Sequence, residues 1–447
     1  MSFEDGQSAV SWVLGCQETP FGMKTIRVLM YSGPYGSAKG YVASLAYCNR
    51  HRLIPGYRFR FKLAKRIGDE VLKDRNGRYR YDVLMYPGGN YKQGRDGEGS
   101  DVAAVRRFVR RGGGYYGTCG GCGAVIGRIV NRDGSPYSNS PDERSLQLLP
   151  QLHAEQGWFT GYFCGLLTPE GTRLTGYGGE QISMLGKGTY LFYPRGKPHG
   201  HTDLFFPFNN HKGPHGRRSW PSAPAKAREP FQPKYDTMRD GGGQQKYRSL
   251  VRSTYGRGRV LVGQTHVEGG SPTGHSWFPR WVGGGVVWAA GYEPPFTSYI
   301  LGSDRGEHAM GKRDPDLAGR RVRSLVQAER VTHSGRVSAI RVLHAGKGPV
   351  TVSLWRGAKK PVEKLFASEP NLVRLVRRQW LTFELERPVR VHAGERIWLG
   401  VETKNKSQRI FGRRYPALGR RTLERRAFTE KAEDYVASIY ARVEFTD

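Results

Sequence analysis

The chain has 447 residues, too many for one ordinary core, so two or three domains are expected. Its 71 basic against 39 acidic residues give a formal charge of +32, a field that draws polyanions at low salt; the cations run from Arg50 to Arg442 without a recognised nucleic-acid motif, so base-specific readout is unsupported. Five dispersed cysteines speak against a disulfide framework, and no apolar run approaches the ~20 residues of a membrane span, which together favour a reducing, cytoplasmic setting.

Residues 1–22 read as an N-terminal tail without the basic head and apolar core of a signal peptide, and Met23 opens a strand-like run, leaving Met1 and Met23 as alternative starts. Strands over Ile26–Tyr31, Tyr57–Leu63, Val83–Tyr86, Tyr115–Tyr116 and Val260–Gly263 alternate with helices over Ala38–His51, Asp101–Arg111 and Gly120–Val130. That alternation predicts an α/β domain with a mainly parallel sheet and helices on both faces. From Asn131 to Tyr255 the text turns irregular. Gln181–Leu185 and Gly188–Tyr193 read as short antiparallel strands walling a pocket, and residues 191–246 look like an insertion.

Inside that insertion, His199, His201, His211 and His215 have possible metal-ligand spacing, but their glycine and proline surroundings favour an exposed loop or lid, and no metal is expected. Trp277–Tyr292 is apolar and glycine-rich, and residues 301–316 read as a linker. From Leu317 onward the period becomes two, with turns about every ten residues, which predicts an all-β, jelly-roll-like antiparallel sandwich over 317–447. Trp355, Trp380 and Trp398 fall on what reads as the inward phase of its strands.

The segment Gly112–Gly123 carries the chemistry. A helix, a glycine stop and a short buried strand lead to Cys119 at a turn flanked by Gly117, Gly120, Gly121 and Gly123. A strand-to-helix elbow holds the side chain at its apex strained and exposed, and a helix N-terminus favours the thiolate. A base is available where a second apolar strand ends, in Gln264-Thr265-His266-Val267-Glu268: His266 would carry the proton and Glu268 orient the ring. A third strand, Tyr81–Tyr86, ends in Pro87-Gly88-Gly89, whose N–H groups at Gly88 or Gly89 could form an oxyanion hole with that of Gly120. Cys119 and Cys122 also spell Cys-x-x-Cys, so a redox pair is an open alternative, whereas zinc would want a second close pair that Cys16, Cys48 and Cys164 do not supply.

These three elements in this order resemble the class I glutamine amidotransferase-like superfamily, most closely the branch typified by the amino-terminal domain of biotin-protein ligase. The resemblance covers roughly Lys24 to Gly270. It implies a flavodoxin-like fold over residues 23–300, a Cys119–His266–Glu268 triad that needs no cofactor, and hydrolysis of a small-molecule or peptide amide, or a related acyl bond, through a thioester. Two departures stand out: Val267 replaces the usual proline between the histidine and the glutamate, and the insertion is extra. No biotin ligase catalytic domain, synthetase domain or ATP-binding loop follows. The sandwich is similar to accessory domains appended to enzymes. The competing expectation is a catalytically inactive scaffold whose basic surface and sandwich bind a polyanion or a glycan; oligomeric state is open.

Overall fold

Two packed layers of side chains are written into the first strand, β1 (Lys24–Tyr31). Ile26, Val28 and Met30 enter one core and Leu29 and Tyr31 another, all of them buried, because successive residues of a strand face opposite ways. The computed structural model describes residues 22–131, 133–138, 140–156, 161–185, 190–208, 247–268, 278–302, 317–320, 324–358, 360–374, 378–405, 407–414, 422–424, 429–431, 435–437 and 439–446. After β1 come α1 (Lys39–His51), β2 (Tyr57–Ala64), α2 (Asp69–Leu72), β3 (Val83–Tyr86), α3 (Val102–Arg110), β4 (Gly114–Thr118) and α4 (Gly120–Gly123). A strand-rich stretch follows, with β5 (Ile126–Val130), β6 (Leu149–Glu155), β7 (Gly161–Leu167), α5 (Pro169–Thr175), β8 (Tyr177–Gly178), β9 (Glu180–Leu185), β10 (Tyr190–Phe192) and β11 (Thr202–Phe208). Then come β12 (Leu250–Tyr255), β13 (Gly258–Gly263), α6 (Pro279–Ala289) and β14 (Ser298–Gly302).

The principal sheet has nine strands in the order β2-β1-β3-β4-β13-β12-β11-β7-β9. Its first five strands are parallel and follow the doubly wound order 2-1-3-4-5. From β13 outward every pairing is antiparallel, so the expected mainly parallel sheet is an evenly mixed one. The reason is local. β12 and β13 are joined by a tight turn with Gly256 at φ +61°, and a connection that short can only make a hairpin. Of the expected insertion at 191–246, residues 202–208 form β11 of the sheet, and the strand expected over Gln181–Leu185 is its edge strand β9; residues 186–189 and 209–246 lie outside the described residues, as do His211 and His215, residues 1–21 of the tail and 303–316 of the linker.

Helices cover both faces. α1 and α6 pack on the side of Ile26, Val28 and Met30, while α3 packs on the side of Leu29 and Tyr31. α3 begins where Asp101 accepts from the Ala104 N–H, and it buries Val102, Val105, Phe108 and Val109 at helical spacing. α6 falls in the stretch that reads only as apolar and glycine-rich; it starts with Pro279 and is buried along its whole length, as befits a helix whose one charged side chain, Arg280, donates to Ser298 O. The expected helix over Gly120–Val130 is corrected: it stops at Gly123, and Ile126–Val130 forms β5 paired with β6. Three glycines in the first four positions are weak helix formers, and the β-branched Ile126, Ile129 and Val130 suit a pleated strand.

The carboxy-terminal part is two facing sheets. One centres on Gly335–Ala345, between Gln379–Val391 and Ile439–Phe445; the other pairs Gly348–Arg356, Arg396–Thr403 and Ser324–Arg330. β14 adds antiparallel to Ile439–Phe445 and β8 adds parallel to β14, so that sheet continues into strands from before residue 317. The inward tryptophans are a second correction. Leu354, Ile397 and Leu399 take the inward positions, which turns Trp355 and Trp398 to the opposite face, where they lie in register and pack with Val326 and Ala328. Trp398 is nonetheless buried, its Nε1 donating to Gly357 O. Trp380 meets the Tyr440 ring tilted by 57°, packed on the α/β core. Among the described residues no helix is long and apolar enough to cross a membrane.

Trp281 is the largest fully buried side chain of α6, with Phe205 edge-on at 5.3 Å and Phe278 at 5.6 Å. Trp281→Ala is expected to lower unfolding free energy by about 3–5 kcal/mol, read as a lower urea midpoint at unchanged slope. A loss below about 1 kcal/mol would mean that the helix is not seated as described.

Candidate active site

β3, β4 and β13 are adjacent and parallel, so their carboxyl ends open on one side of the sheet, where ligands of open α/β folds bind. Each ends in one of the three motifs. β3 runs into Pro87-Gly88-Gly89, β4 into Cys119, and β13 into Gln264–Glu268.

Cys119 has φ +47° and ψ −108°, a conformation that costs a non-glycine residue roughly 1–3 kcal/mol. The surroundings enforce it. Its N–H donates to Gly263 O at 2.8 Å, stitching the turn to β13, and its carbonyl accepts the Gly123 N–H at 2.8 Å. Tyr115 Oη donates to Gly121 O at 2.7 Å, and the Gly121 N–H donates to Pro87 O at 3.2 Å, tying the elbow to the end of β3. The thiol is half-buried and shares a side-chain hydrogen bond with His266.

His266 Nδ1 lies 3.1 Å from Oε1 of Glu268, whose side chain is only 2% exposed. The same oxygen accepts from Thr118 Oγ1 at 3.1 Å, and Thr118 Oγ1 accepts from Tyr41 Oη on α1 at 2.8 Å. Thr118 and Tyr41 were not legible as site residues. Thr118 stands beside Cys119 but carries no signal of its own, and Tyr41 reads as an ordinary core residue.

The electrostatics follow from these contacts. Burial works to raise the Cys119 pKa, but the neighbouring His266 charge, the His266 hydrogen bond and the Gly89 N–H outweigh it and hold the thiol below its usual value. Burial works against a charged ring at His266, yet Cys119 and Glu268 together raise its pKa well above the ordinary histidine value. Both shifts favour a thiolate facing an imidazolium. Cys48 and Cys122 contrast with this. Burial pushes the Cys48 and Cys122 thiols up; Cys48 donates to Pro279 O, and Cys122 sits in the core, hydrogen-bonded by Gln264. A thiol so placed is a poor redox partner for Cys119.

Two glycines are demanded by close approach. A Cβ on Gly88 would stand 2.3 Å from Cε1 of His266, and one on Gly120 would stand 2.3 Å from Gly89 O. Among the described residues neither the Gly88 nor the Gly120 N–H donates to a backbone carbonyl, while Gly89 directs its N–H to the Cys119 sulfur. Of the histidine cluster, His201 Nδ1 lies 3.3 Å from Tyr193 Oη, and His199 is exposed.

No protein-family model and no curated protein matches the chain. Among solved structures it is similar to a putative ThuA-like protein from Parabacteroides merdae, with TM-score 0.33 and 11% identity over 61% of this chain and 92% of that one. It is similar also to a glutamine amidotransferase from Thermotoga maritima, with TM-score 0.27 and 10% identity over 54% and 76% of the two chains. A β-galactosidase from Bacillus circulans sp. alkalophilus matches at TM-score 0.31 and 11% identity, over 84% and 41%. These likenesses are remote, and the chemistry below rests on the site's own geometry.

Because the Cys119 pKa is lowered, its alkylation by iodoacetamide should remain fast as pH falls below about 8.5, where an ordinary thiol is already protonated. Gly88→Ala, which displaces the His266 ring, should move the midpoint of the rate profile upward and slow the reaction at pH 7. A wild-type profile that already centres near about 8.5 would show that the ion pair does not form.

Proposed function

We propose that residues 23–300 are a class I glutamine amidotransferase-like domain and that the protein is a cysteine hydrolase of an amide or related acyl substrate. The observation that carries this reading is the run of contacts from the strained Cys119 through His266 to a buried Glu268, with the Gly89 N–H on the sulfur.

The steps follow from the geometry. Cys119 Sγ adds to the substrate carbonyl carbon, and the carbonyl oxygen takes the negative charge. The N–H groups of Gly88 and Gly120, which donate to no backbone carbonyl among the described residues, are the donors for that charge, and such donors act most strongly in a dry, preorganised site. With Nδ1 committed to Glu268, Nε2 of His266 is the nitrogen left to serve the sulfur and the leaving group. It gives its proton to the departing amine as the C–N bond breaks, leaving a thioester on Cys119. Water then adds to the thioester while His266 accepts its proton; the C–S bond breaks, releasing the carboxylic acid and restoring the thiolate. Glu268 orients the ring throughout, held in turn by Thr118.

The test is a panel of small amides and peptides, with Cys119→Ala as the blank. Hydrolysis is expected to vanish in that blank and to fall about 10²–10⁴-fold in His266→Ala. Intact mass measurement should show the acyl-enzyme. Turnover that survives Cys119→Ala, or the absence of any acyl adduct with activated substrates, removes the enzyme reading and leaves a scaffold whose basic surface and sandwich bind a polyanion or glycan.

A further inference from the structure

One buried polar side chain beside the site has no part in the steps above. Gln93 belongs to the 3₁₀ turn Tyr91–Gly94, just after Pro87-Gly88-Gly89, and is fully buried. Its Nε2 donates to Pro87 O at 2.8 Å, the same carbonyl that accepts the Gly121 N–H at 3.2 Å. Its Oε1 is buried without a hydrogen-bond partner among the described residues, facing Gly36, where an added Cβ would stand 2.9 Å away. The residue is itself braced. Ser100 Oγ donates to Gln93 O at 2.7 Å and shares a 2.7 Å hydrogen bond with Tyr86 Oη, and the Gln93 N–H donates to Asn90 O at 3.3 Å.

A buried amide with one arm unsatisfied costs stability that an apolar residue of the same length would not. The bond it does make is therefore the informative part. A trans peptide is a rigid plane in which C=O and N–H point opposite ways, and no cis peptide occurs among the described residues. Holding Pro87 O on one side thus fixes the direction of the Gly88 N–H on the other, and with it the course of the chain into Gly89. Neither glycine can hold that plane by its own side chain, because the His266 ring excludes a Cβ at Gly88 and Tyr35 O, 2.1 Å away, excludes one at Gly89.

We propose that Gln93 is a positioning residue for the oxyanion hole: it clamps the Pro87 carbonyl so that the Gly88 N–H is aimed before substrate arrives. This rests on the acyl-transfer reading above. It predicts a split between two reactions of the same sulfur. In alkylation by iodoacetamide, Sγ displaces iodide from carbon and no oxyanion forms. In acylation by p-nitrophenyl acetate, Sγ adds to the ester carbonyl, an oxyanion develops, and p-nitrophenolate leaves as the thioester forms.

The full-length Gln93→Met variant keeps the length of the side chain and removes both the donor and the stranded acceptor. Its alkylation rate and pH profile should stay within about twofold of wild type, its thermal midpoint should not fall, and acylation should slow about 10–100-fold, less than the loss of an oxyanion donor outright. Gln93→Leu, which removes donor and acceptor with an apolar side chain of another shape, is the second variant and should give the same split. Unchanged acylation in both variants, or equal loss of acylation and alkylation, overturns the positioning role: the first means the clamp is not needed, the second that the residue merely supports the fold. A wild-type Cys119 that alkylates no faster than a free thiol removes the hydrolase reading and this inference with it. Fast wild-type reactions with indifferent variants remove this inference alone.

Discussion

An imidazole lodged between a thiol and a nearly inaccessible carboxylate is expensive to hold in charged form, and much of the surrounding architecture supports it. Burial opposes both the thiolate at Cys119 and the cation at His266, so their stability comes from mutual contact and from Glu268. Glu268 in turn is fixed by Thr118 and, through it, by Tyr41 of α1. The network reaches from the end of β4 to α1, on the face of the sheet where Ile26, Val28 and Met30 pack. A partly satisfied buried network is destabilising, which makes Thr118 and Tyr41 matter beyond their individual hydrogen bonds.

The same economy explains the shape of the fold around it. Only parallel neighbours bring three carboxyl ends to one mouth, and β3, β4 and β13 are the parallel neighbours that the motifs terminate. Beyond β13 the sheet has no such duty and turns antiparallel through hairpins. α6 closes the layer beneath, and β14, the strand after it, pairs with Ile439–Phe445. The carboxy-terminal sheet is thus continuous by backbone hydrogen bonds with residues on the amino-terminal side of the proposed linker, and a fragment beginning at 317 would expose the strand edge that β14 covers.

How much of this was legible depends on whether a feature is local. The ends of β3, β4 and β13 are punctuated by glycine, so the positions of Gly88, Gly89, Cys119, Gly120, His266 and Glu268 could be read before their distances were known. The course of the chain after Cys119 could not, since glycines that form an elbow also abolish a helix, and Ile126 and Ile129 then favour β5. The tryptophans failed for a different reason. Alternation gives the phase of a strand only up to a choice of face, and Trp398 is buried on the outer one by Val326 and Trp355. Tyr41 and Thr118 are tertiary: nothing at spacing 77 in sequence announces their 2.8 Å hydrogen bond. Gln93 was missed likewise, because its partner is a main-chain carbonyl and not another reactive group.

Val267 shows how a departure from a family pattern can be absorbed. A proline between the histidine and the glutamate would stiffen the segment by fixing its backbone, which is what the resemblance leads one to expect. Here the stiffness comes from burial. Val267 is fully inaccessible, packed in the core that also holds Phe278 and Trp281, and its carbonyl accepts the Phe278 N–H at 2.9 Å. With the middle residue anchored in the α6 layer, His266 and Glu268 on either side of it meet at 3.1 Å. The start of α6 and the imidazole–carboxylate pair are therefore two sides of one constraint, and the seating of that helix sets the aim of the ring.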